Sequence, residues 1–202
     1  GPTTPETLAA AVQAGADYVG LVHFEKSPRH LSLGQAAKLR GLVPPQVKVV
    51  LLVVNLSPAT LAEAVREVRP DVVQFHGQET PDTLARFRAA TRTAAWRALG
   101  VRDAGSLADA ARFHGAADRL LFDAPASGLP GGNGTRFDWD LLKAYKAPIP
   151  WGLAGGLTPA NVAEAISLTG APLVDTSSGV ERSPGIKDVD KITAFCKAAR
   201  QS

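Results

Sequence analysis

Short apolar segments alternate with helical segments along the whole chain, and this alternation predicts an α/β fold built on a parallel sheet. Most of the apolar segments are continuously hydrophobic, as expected for parallel strands that are covered on both faces. Repetition of this unit over 202 residues favours a (β/α)8 barrel, a TIM barrel, that forms one domain over 1–202. A doubly wound open sheet is the alternative architecture.

Seven segments have the composition of strands, and eight candidate helices accompany them. The predicted strands are residues 17–23, 47–54, 72–75, 93–99, 119–122, 149–153 and 173–175. Because the series begins with a helix, an eight-unit barrel would lack its first strand in this sequence. We expect that strand to lie upstream, in about six to ten further residues.

Polar residues followed by proline mark several predicted helix starts. Thr4, Ser57, Thr80 and Thr158 each precede a proline, a combination typical of an N-cap followed by the first helical residue. Asp103 marks a fifth helix start without proline.

The composition excludes several function classes. The net charge is only +3, and the basic residues are dispersed without interleaved aromatics, so nucleic-acid binding is not expected. No apolar run approaches the roughly 20 residues of a membrane span, and no signal peptide is visible. The single cysteine, Cys196, excludes an intrachain disulfide and lies in an apolar helical pattern typical of a buried side chain. We expect a cytoplasmic protein that binds neither nucleic acid nor membrane.

Two segments near the C-terminus predict a phosphate site. Each is an apolar strand that runs into small residues, at 152–157 and 174–181. In (β/α)8 barrels ligands bind at the carboxyl ends of the strands, and phosphate commonly lies after the last two. Small residues let backbone amides approach an anion closely. The predicted phosphate-binding residues are Gly155, Gly156, Ser177, Ser178 and Gly179.

Two aspartates end predicted strands in the same region. Asp123 follows Leu-Leu-Phe and would point into the barrel mouth, where partial burial raises a carboxyl pKa and suits a general acid. An N-cap or loop-anchoring role is the alternative for Asp123. Asp175 is either a second carboxylate at the substrate or a residue that holds the backbone amides of the second phosphate segment, 174–181, which we call the phosphate loop. We favour the supporting role.

Two arginines are further candidates. Arg29, in Ser-Pro-Arg after the first predicted strand, can clamp a substrate carboxylate with its planar fork, or it is a surface residue. Arg97 lies inside a strand, where it orders Asp123 or the substrate, or forms a structural salt bridge; we favour the salt bridge.

Gln74 and His76 lie two residues apart at the end of a strand and would face the same side, where either can contact a ligand. A metal site would need partner ligands, and His23, His30 and His114 show no ligand-like spacing, so no metal is expected. The glycine-rich segment 127–135 is predicted to be a cover of the active site rather than a linker.

Taken together, these segments resemble the phosphoribosylanthranilate isomerase family of tryptophan biosynthesis. The resemblance runs the whole length of the chain, and its motifs occur in the family's order and spacing. They lie at residues 15–20, 27–29, 73–77, 122–123, 131–139, 153–157, 175–181 and 183–188.

The resemblance implies an Amadori rearrangement of N-(5-phosphoribosyl)anthranilate. Asp123 would be the general acid that protonates the furanose ring oxygen, and Arg29 would orient the anthranilate carboxylate. Phosphate would be bound at Gly156 and at residues 177–179. The general base of the family is a cysteine in a Lys-Ile-Cys-Gly motif on the first strand, and Gly1 aligns with the glycine of that motif. No cofactor or metal is implied.

Alternative functions remain at this point. A ribulose-phosphate epimerase-like barrel would use a metal held by paired histidines and aspartates, and a barrel without its base would bind a phosphate ligand non-catalytically. A related aminoaldose of histidine biosynthesis is a second candidate substrate. A monomer and a homodimer are both expected possibilities.

Overall fold

The computed structural model describes residues 1–125, 137–143, 145 and 148–201. The predicted active-site cover, 127–135, lies outside these residues.

A parallel sheet of six strands forms the centre of the described structure, and its strands follow one another in chain order. A doubly wound sheet reverses its strand order at a switch point, and no reversal occurs among these six strands, so the predicted barrel architecture is confirmed over the open sheet. The strands are β1 (Tyr18–His23), β2 (Lys48–Val53), β3 (Val72–Phe75), β4 (Ala94–Gly100), β5 (Arg119–Asp123) and β6 (Trp151–Leu153).

The sheet is curled into a half-barrel, as a contact between distant strands demonstrates. Tyr18 of β1 and Trp96 of β4 have ring centroids 4.9 Å apart, although β2 and β3 lie between their strands. Three strand spacings in a flat sheet would separate them by about 14 Å. Trp96 also packs with Val50, Val72 and Leu173 on the inner surface of the curl.

The last predicted strand, 173–175, is reduced to one parallel bridge between Val174 and Leu153. This bridge continues the sheet beyond β6. A short antiparallel pair follows, β7 (Glu181–Ser183) and β8 (Ile186–Lys187), which the sequence did not predict because its residues are polar and few. We call residues 181–187 the C-terminal hairpin.

Helices cover the outer surface of the sheet. Side chains that alternate along the strands, such as Leu51, Val73 and Phe75, join the large outer core with the helices. The α-helices of the described part are α1 (Pro5–Gln13), α2 (Leu33–Arg40), α3 (Pro58–Val68), α4 (Pro81–Thr91), α5 (Ala104–Ala110), α6 (Val162–Thr169) and α7 (Val189–Arg200). Short 3-10 helices occur at Ala111–Phe113, Trp139–Leu142 and Ser178–Val180.

The predicted helix starts are confirmed with one exception. The side chains of Thr4, Ser57, Thr80 and Asp103 each accept a hydrogen bond from a backbone amide three residues further on. The prediction at Thr158 was wrong, because α6 begins at Val162. Asn161 closes a turn before it, accepting from the amide of Thr158 at 2.8 Å and donating to the carbonyl of Gly156 at 3.0 Å.

Two aspartates fix neighbouring strands at the amino end of the sheet. Asp71, just before β3, accepts the amide of Val49 in β2 at 2.8 Å, and Asp118, just before β5, accepts the amide of Ala95 in β4 at 2.8 Å. The carboxyl ends of the strands, at the opposite edge, are therefore held in a fixed order.

In the part of the chain that the structure describes, no helix combines the length and the hydropathy that crossing a membrane requires.

Candidate functional site

Three predicted site residues meet at the carboxyl ends of adjacent strands. Asp123 is the last residue of β5, Gly155 follows β6, and Asp175 follows the bridge at Val174. A Cβ atom built on Gly155 would lie 2.8 Å from Oδ1 of Asp123 and would also collide with the amide of Ala124. The glycine therefore allows the loop after β6 to pack against the carboxyl group.

Asp123 is a buried carboxyl group whose side chain points to the inner side of the barrel mouth. It is 9% exposed, and its Oδ1 accepts the amide of Ala124 at 2.7 Å. Burial raises the pKa of Asp123 to about 7; the hydrogen bond from Ala124 opposes this rise, and the charge of Asp175 adds to it. A carboxyl group with this pKa is partly protonated at neutral pH and can donate a proton.

Asp175 is an exposed side chain that borders a cavity of about 460 Å³. Desolvation by the surrounding protein raises the pKa of Asp175, and the positive charge of Lys187 acts in the opposite direction. The cavity lies between β1 and residues 171–176, is bounded by α1 and α7, and reaches the inner surface of the sheet at Gln74 and Trp96; Asp123 and Arg29 are not among its lining residues.

The two predicted phosphate segments lie against each other. Thr176 donates its hydroxyl to the carbonyl of Leu157 at 2.7 Å, and Gly179 packs so tightly on the same carbonyl that no Cβ atom would fit. Gly155 and Gly156 have φ angles of 82° and 66°, in the left-handed region that favours glycine.

Backbone amides are uncommitted in both segments. The N–H groups of Gly155, Gly156, Ser178 and Gly179 donate to no other residue among those described. Ser177 precedes the 3-10 turn Ser178–Val180, and its hydroxyl lies 3.1 Å from the amino group of Gly1. Converging free amides after adjacent strands form a suitable cradle for a phosphate.

Arg29 lies in a buried ion pair rather than on the surface. Its Nε and Nη2 donate to the two carboxylate oxygens of Glu181 at 2.7 and 2.8 Å. Lys187 donates to Oε1 of Glu181 at 2.6 Å and to the carbonyl of Ser177 at 2.8 Å. Burial alone would raise the pKa of Glu181, but the hydrogen bonds from Arg29 and Lys187 lower it to about 2.

Arg97 faces the helices, since it alternates with the inward residues Trp96 and Ala98 along β4. It donates to Glu79 at 2.8 Å, and to the carbonyls of Phe75 and Gly77. No hydrogen bond or ion pair joins it to Asp123. The geometry is that of the structural salt bridge favoured from the sequence.

Gln74 and His76 follow the inward register of β3. Gln74 is buried and borders the cavity. Nε2 of His76 is buried and has no hydrogen-bond partner among the described residues. Burial and the charge of Arg97 lower the pKa of His76 to about 4, so its imidazole is neutral at physiological pH.

Sequence reasoning missed the structural partners of the two arginines. Glu181 pairs with Arg29 across 152 residues of sequence, and Lys187 donates to the same Glu181 carboxylate. Glu79 pairs with Arg97 and also accepts the amides of Asn55 at 2.6 Å and Gly77 at 2.8 Å. The sequence offered one signal for these partners: charged side chains placed within short segments that are otherwise apolar or rich in glycine.

One further reactive group, Cys196, lines the same cavity from the side of α7. Cys196 on α7 is half-buried, and burial raises the pKa of its thiol. Among the residues described, no group of three or more His, Cys, Asp or Glu side chains is arranged to hold a metal ion.

Comparison with known proteins gives one family. A family model described as N-(5'phosphoribosyl)anthranilate (PRA) isomerase matches residues 1–198. The N-(5'-phosphoribosyl)anthranilate isomerase of Erythrobacter litoralis is 59% identical over 202 residues, which are 100% of this chain and 97% of the relative.

Solved structures agree with the sequence comparison. The phosphoribosyl anthranilate isomerase of Thermotoga maritima superimposes with a TM-score of 0.90 at 33% identity, over 100% of this chain and 96% of its own. Monomers generated from that dimeric enzyme superimpose with a TM-score of 0.86 at 33% identity, with the same coverage. A phosphoribosyl anthranilate isomerase in complex with reduced 1-(o-carboxyphenylamino)-1-deoxyribulose 5-phosphate has a TM-score of 0.87 at 32% identity, again covering 100% and 96%.

Proposed function

Because the chain belongs to the N-(5'-phosphoribosyl)anthranilate isomerase family, we propose that it catalyses the Amadori rearrangement of N-(5'-phosphoribosyl)anthranilate in tryptophan biosynthesis. The product is 1-(2-carboxyphenylamino)-1-deoxyribulose 5-phosphate. The structural observation that carries the proposal is a carboxyl group, Asp123, with a pKa of about 7 beside a cradle of free backbone amides.

We propose that Asp123 starts the reaction as the general acid. Its proton passes to the furanose ring oxygen, the C1–O bond breaks, and the nitrogen lone pair forms the Schiff base. A base then removes the C2 proton, and the resulting enol tautomerises to the ketose. The family resemblance assigns this base to a cysteine directly before Gly1. Gly1 lies at the mouth, against Gly20 and Ser177, and this position supports the assignment.

The remaining predicted residues are proposed to bind and orient the substrate. The phosphate group would accept hydrogen bonds from the free amides of residues 155–156 and 178–179 and from the hydroxyl of Ser177. Arg29 would bind the anthranilate carboxylate through the Nη1/Nη2 edge of its guanidinium, because Glu181 occupies the Nε/Nη2 edge. Gln74 and the neutral imidazole of His76 would contact the sugar, and Asp175 would support the phosphate loop. Arg97 would hold the loop after β3 in place.

No cofactor or metal has a part in this proposal. We place the enzyme in the cytoplasm, as a single domain over 1–202 that is active as a monomer or a homodimer. The relation to the dimeric Thermotoga maritima enzyme supports both oligomeric states, since monomers of that protein have been generated. Sedimentation of the purified protein distinguishes the two.

The proposal is tested by following the loss of substrate fluorescence with EDTA present. Asp123→Asn should lower kcat by at least about 100-fold, because general acid catalysis contributes about 100- to 10,000-fold. Binding of the reduced product analogue should remain largely intact. Turnover by the wild type should decline above about pH 7, where Asp123 loses its proton.

Asp109→Asn is the matched control, since Asp109 is an exposed aspartate on α5. It should leave turnover unchanged. Normal turnover by Asp123→Asn would refute the acid assignment, and loss of wild-type activity on chelation would instead indicate the metal-dependent epimerase chemistry.

A further inference from the structure

We propose that Glu181 is a positioning residue that sets the selectivity of the site for a carboxylate on the substrate's aromatic ring. It does so by fixing the guanidinium of Arg29 in one orientation and by joining it, through Lys187, to the phosphate loop. This proposal deepens the function proposed above and rests on it.

The first step is the geometry of the Arg29 guanidinium. A guanidinium has five N–H donors and two edges that can each bind a carboxylate with two parallel hydrogen bonds. Glu181 occupies the Nε/Nη2 edge, at 2.7 and 2.8 Å. The Nη1/Nη2 edge remains, because Nη1 donates to none of the described residues. Glu181 therefore leaves one bidentate edge in a fixed direction.

The second step is the connection to the phosphate loop. Oε1 of Glu181 accepts from both Arg29 and Lys187, and Lys187 continues to the carbonyl and the hydroxyl of Ser177, at 2.8 and 3.2 Å. The amide of Gly185 donates to the other carboxylate oxygen at 3.2 Å. One carboxylate thus connects the two places where the substrate presents negative charge.

The third step is electrostatic. The side chains of Arg29, Lys187 and Glu181 are 9%, 3% and 4% exposed, so two cations and one anion share a buried site. Without the anion the cations would repel each other at short range, and each would move away from its present position. Glutamine at position 181 keeps the shape but removes the charge that holds both cations together.

The test uses pairs of ligands that differ only in the ring carboxylate. The first pair is the phosphoribosyl adducts of anthranilate and of aniline, compared by kcat/KM. The second pair is the reduced product analogue with and without its carboxylate, compared by titration calorimetry. The selectivity ratio is the value for the carboxylated ligand divided by that for the other. In the wild type we expect a ratio of at least about tenfold, as for charge-assisted hydrogen bonds.

Glu181→Gln should reduce this ratio to within about threefold of unity, with the loss in KM rather than kcat. Lys187→Met should weaken both members of each pair, because Lys187 donates to Ser177 in the phosphate loop. The ratio should stay closer to the wild-type value than in Glu181→Gln, because Glu181 still pairs with Arg29 in this variant. Arg182→Gln removes an exposed charge from the adjacent position of the hairpin. It should change neither the selectivity ratio nor the affinity for either ligand of a pair.

A ratio in Glu181→Gln within twofold of the wild-type value would overturn the proposal and leave Glu181 a purely structural ion-pair partner. If Glu181→Gln does not fold, Glu181→Asp retains the charge at a shorter reach. An unchanged ratio in that folded variant would overturn the proposal equally. The calorimetric pair does not require turnover, so an inactive wild type would contradict the proposed function while still testing the role of Glu181.

Discussion

At the scale of single residues, Asp123 shows a conflict between stability and chemistry. Burial raises the pKa of the Asp123 carboxyl group from 3.8 to about 7, so the folded protein favours the protonated form of this group. Its ionisation destabilises the fold. The loss of unfolding free energy caused by this ionisation is absent below about pH 3.8, grows as the pH rises toward 7, and is constant above pH 7.

Asp123→Asn should accordingly stabilise the protein, and more so at alkaline pH. One pKa unit corresponds to about 1.4 kcal/mol, so the gain in unfolding free energy at pH 8.5 should exceed the gain at pH 5 by about 2 to 3 kcal/mol. Urea unfolding at the two pH values measures this difference. The exposed Asp109→Asn should show no such pH dependence, and a gain of equal size at both pH values in Asp123→Asn would contradict the proposed burial effect.

The position of Asp123 could be predicted because an apolar strand ends directly before it, and strand ends define the mouth of a barrel. The environment of Arg29 could not be predicted in the same way. Its partner Glu181 lies 152 residues away, and no local pattern encodes that pairing. The sequence indicates which residue types can react, while tertiary contacts decide which edges remain available.

At the scale of elements, the proposed phosphate cradle depends on two turns in contact. The carbonyl of Leu157 accepts from Thr176 and touches Gly179, so the segments after β6 and after the bridge at Val174 have little room between them. Close packing of two backbones at such a point requires glycine.

Gly179→Ala should separate the two turns. The added methyl group would overlap the carbonyl of Leu157, and the free amides would no longer converge on one anion. We expect the inhibition constant of inorganic phosphate to rise by at least about tenfold, as expected when charge-assisted hydrogen bonds are lost. Competition against substrate turnover measures this constant.

Gly34→Ala is the appropriate comparison, because the nearest atom to its added Cβ would be Oε1 of Glu67 at an ordinary 3.6 Å. It should leave phosphate inhibition unchanged. An unaltered constant in Gly179→Ala would show that the cradle does not depend on this contact.

Most strands could be located from the sequence, because burial on both faces requires continuous apolar runs such as β2 and β5. Shorter and more polar elements could not. The C-terminal hairpin has few apolar residues, and the start of α6 depends on a turn formed by Asn161. In both places side-chain hydrogen bonds, rather than hydrophobic periodicity, determine the backbone.

At the scale of the whole molecule, the ion pairs of Glu181 join the loop after β1 to the C-terminal hairpin. The pKa of Glu181 is lowered from 4.5 to about 2, so its ionised form stabilises the fold. This contribution is complete above about pH 4.5 and is lost as the pH falls toward 2.

Glu181→Gln should lower the free energy of unfolding at pH 7 by about 3 kcal/mol, since it leaves two buried cations without their anion. The difference from the wild type should narrow steadily between pH 4.5 and pH 2. Chemical denaturation across this range measures it. Arg182→Gln should follow the wild type throughout, and a difference that stays constant down to pH 2 would contradict the assignment.

The distance along the sequence between Arg29 and Glu181 also affects the order in which the site can form during synthesis. The first units of the barrel can fold as they leave the ribosome, because each strand pairs with the next one along the chain. Arg29, which we propose to bind the substrate carboxylate, acquires its partner only when residue 181 has emerged and docked. A chain that ends before residue 181 would therefore hold Arg29 without its carboxylate partner, and affinity for a carboxylated ligand would report that the hairpin has been completed.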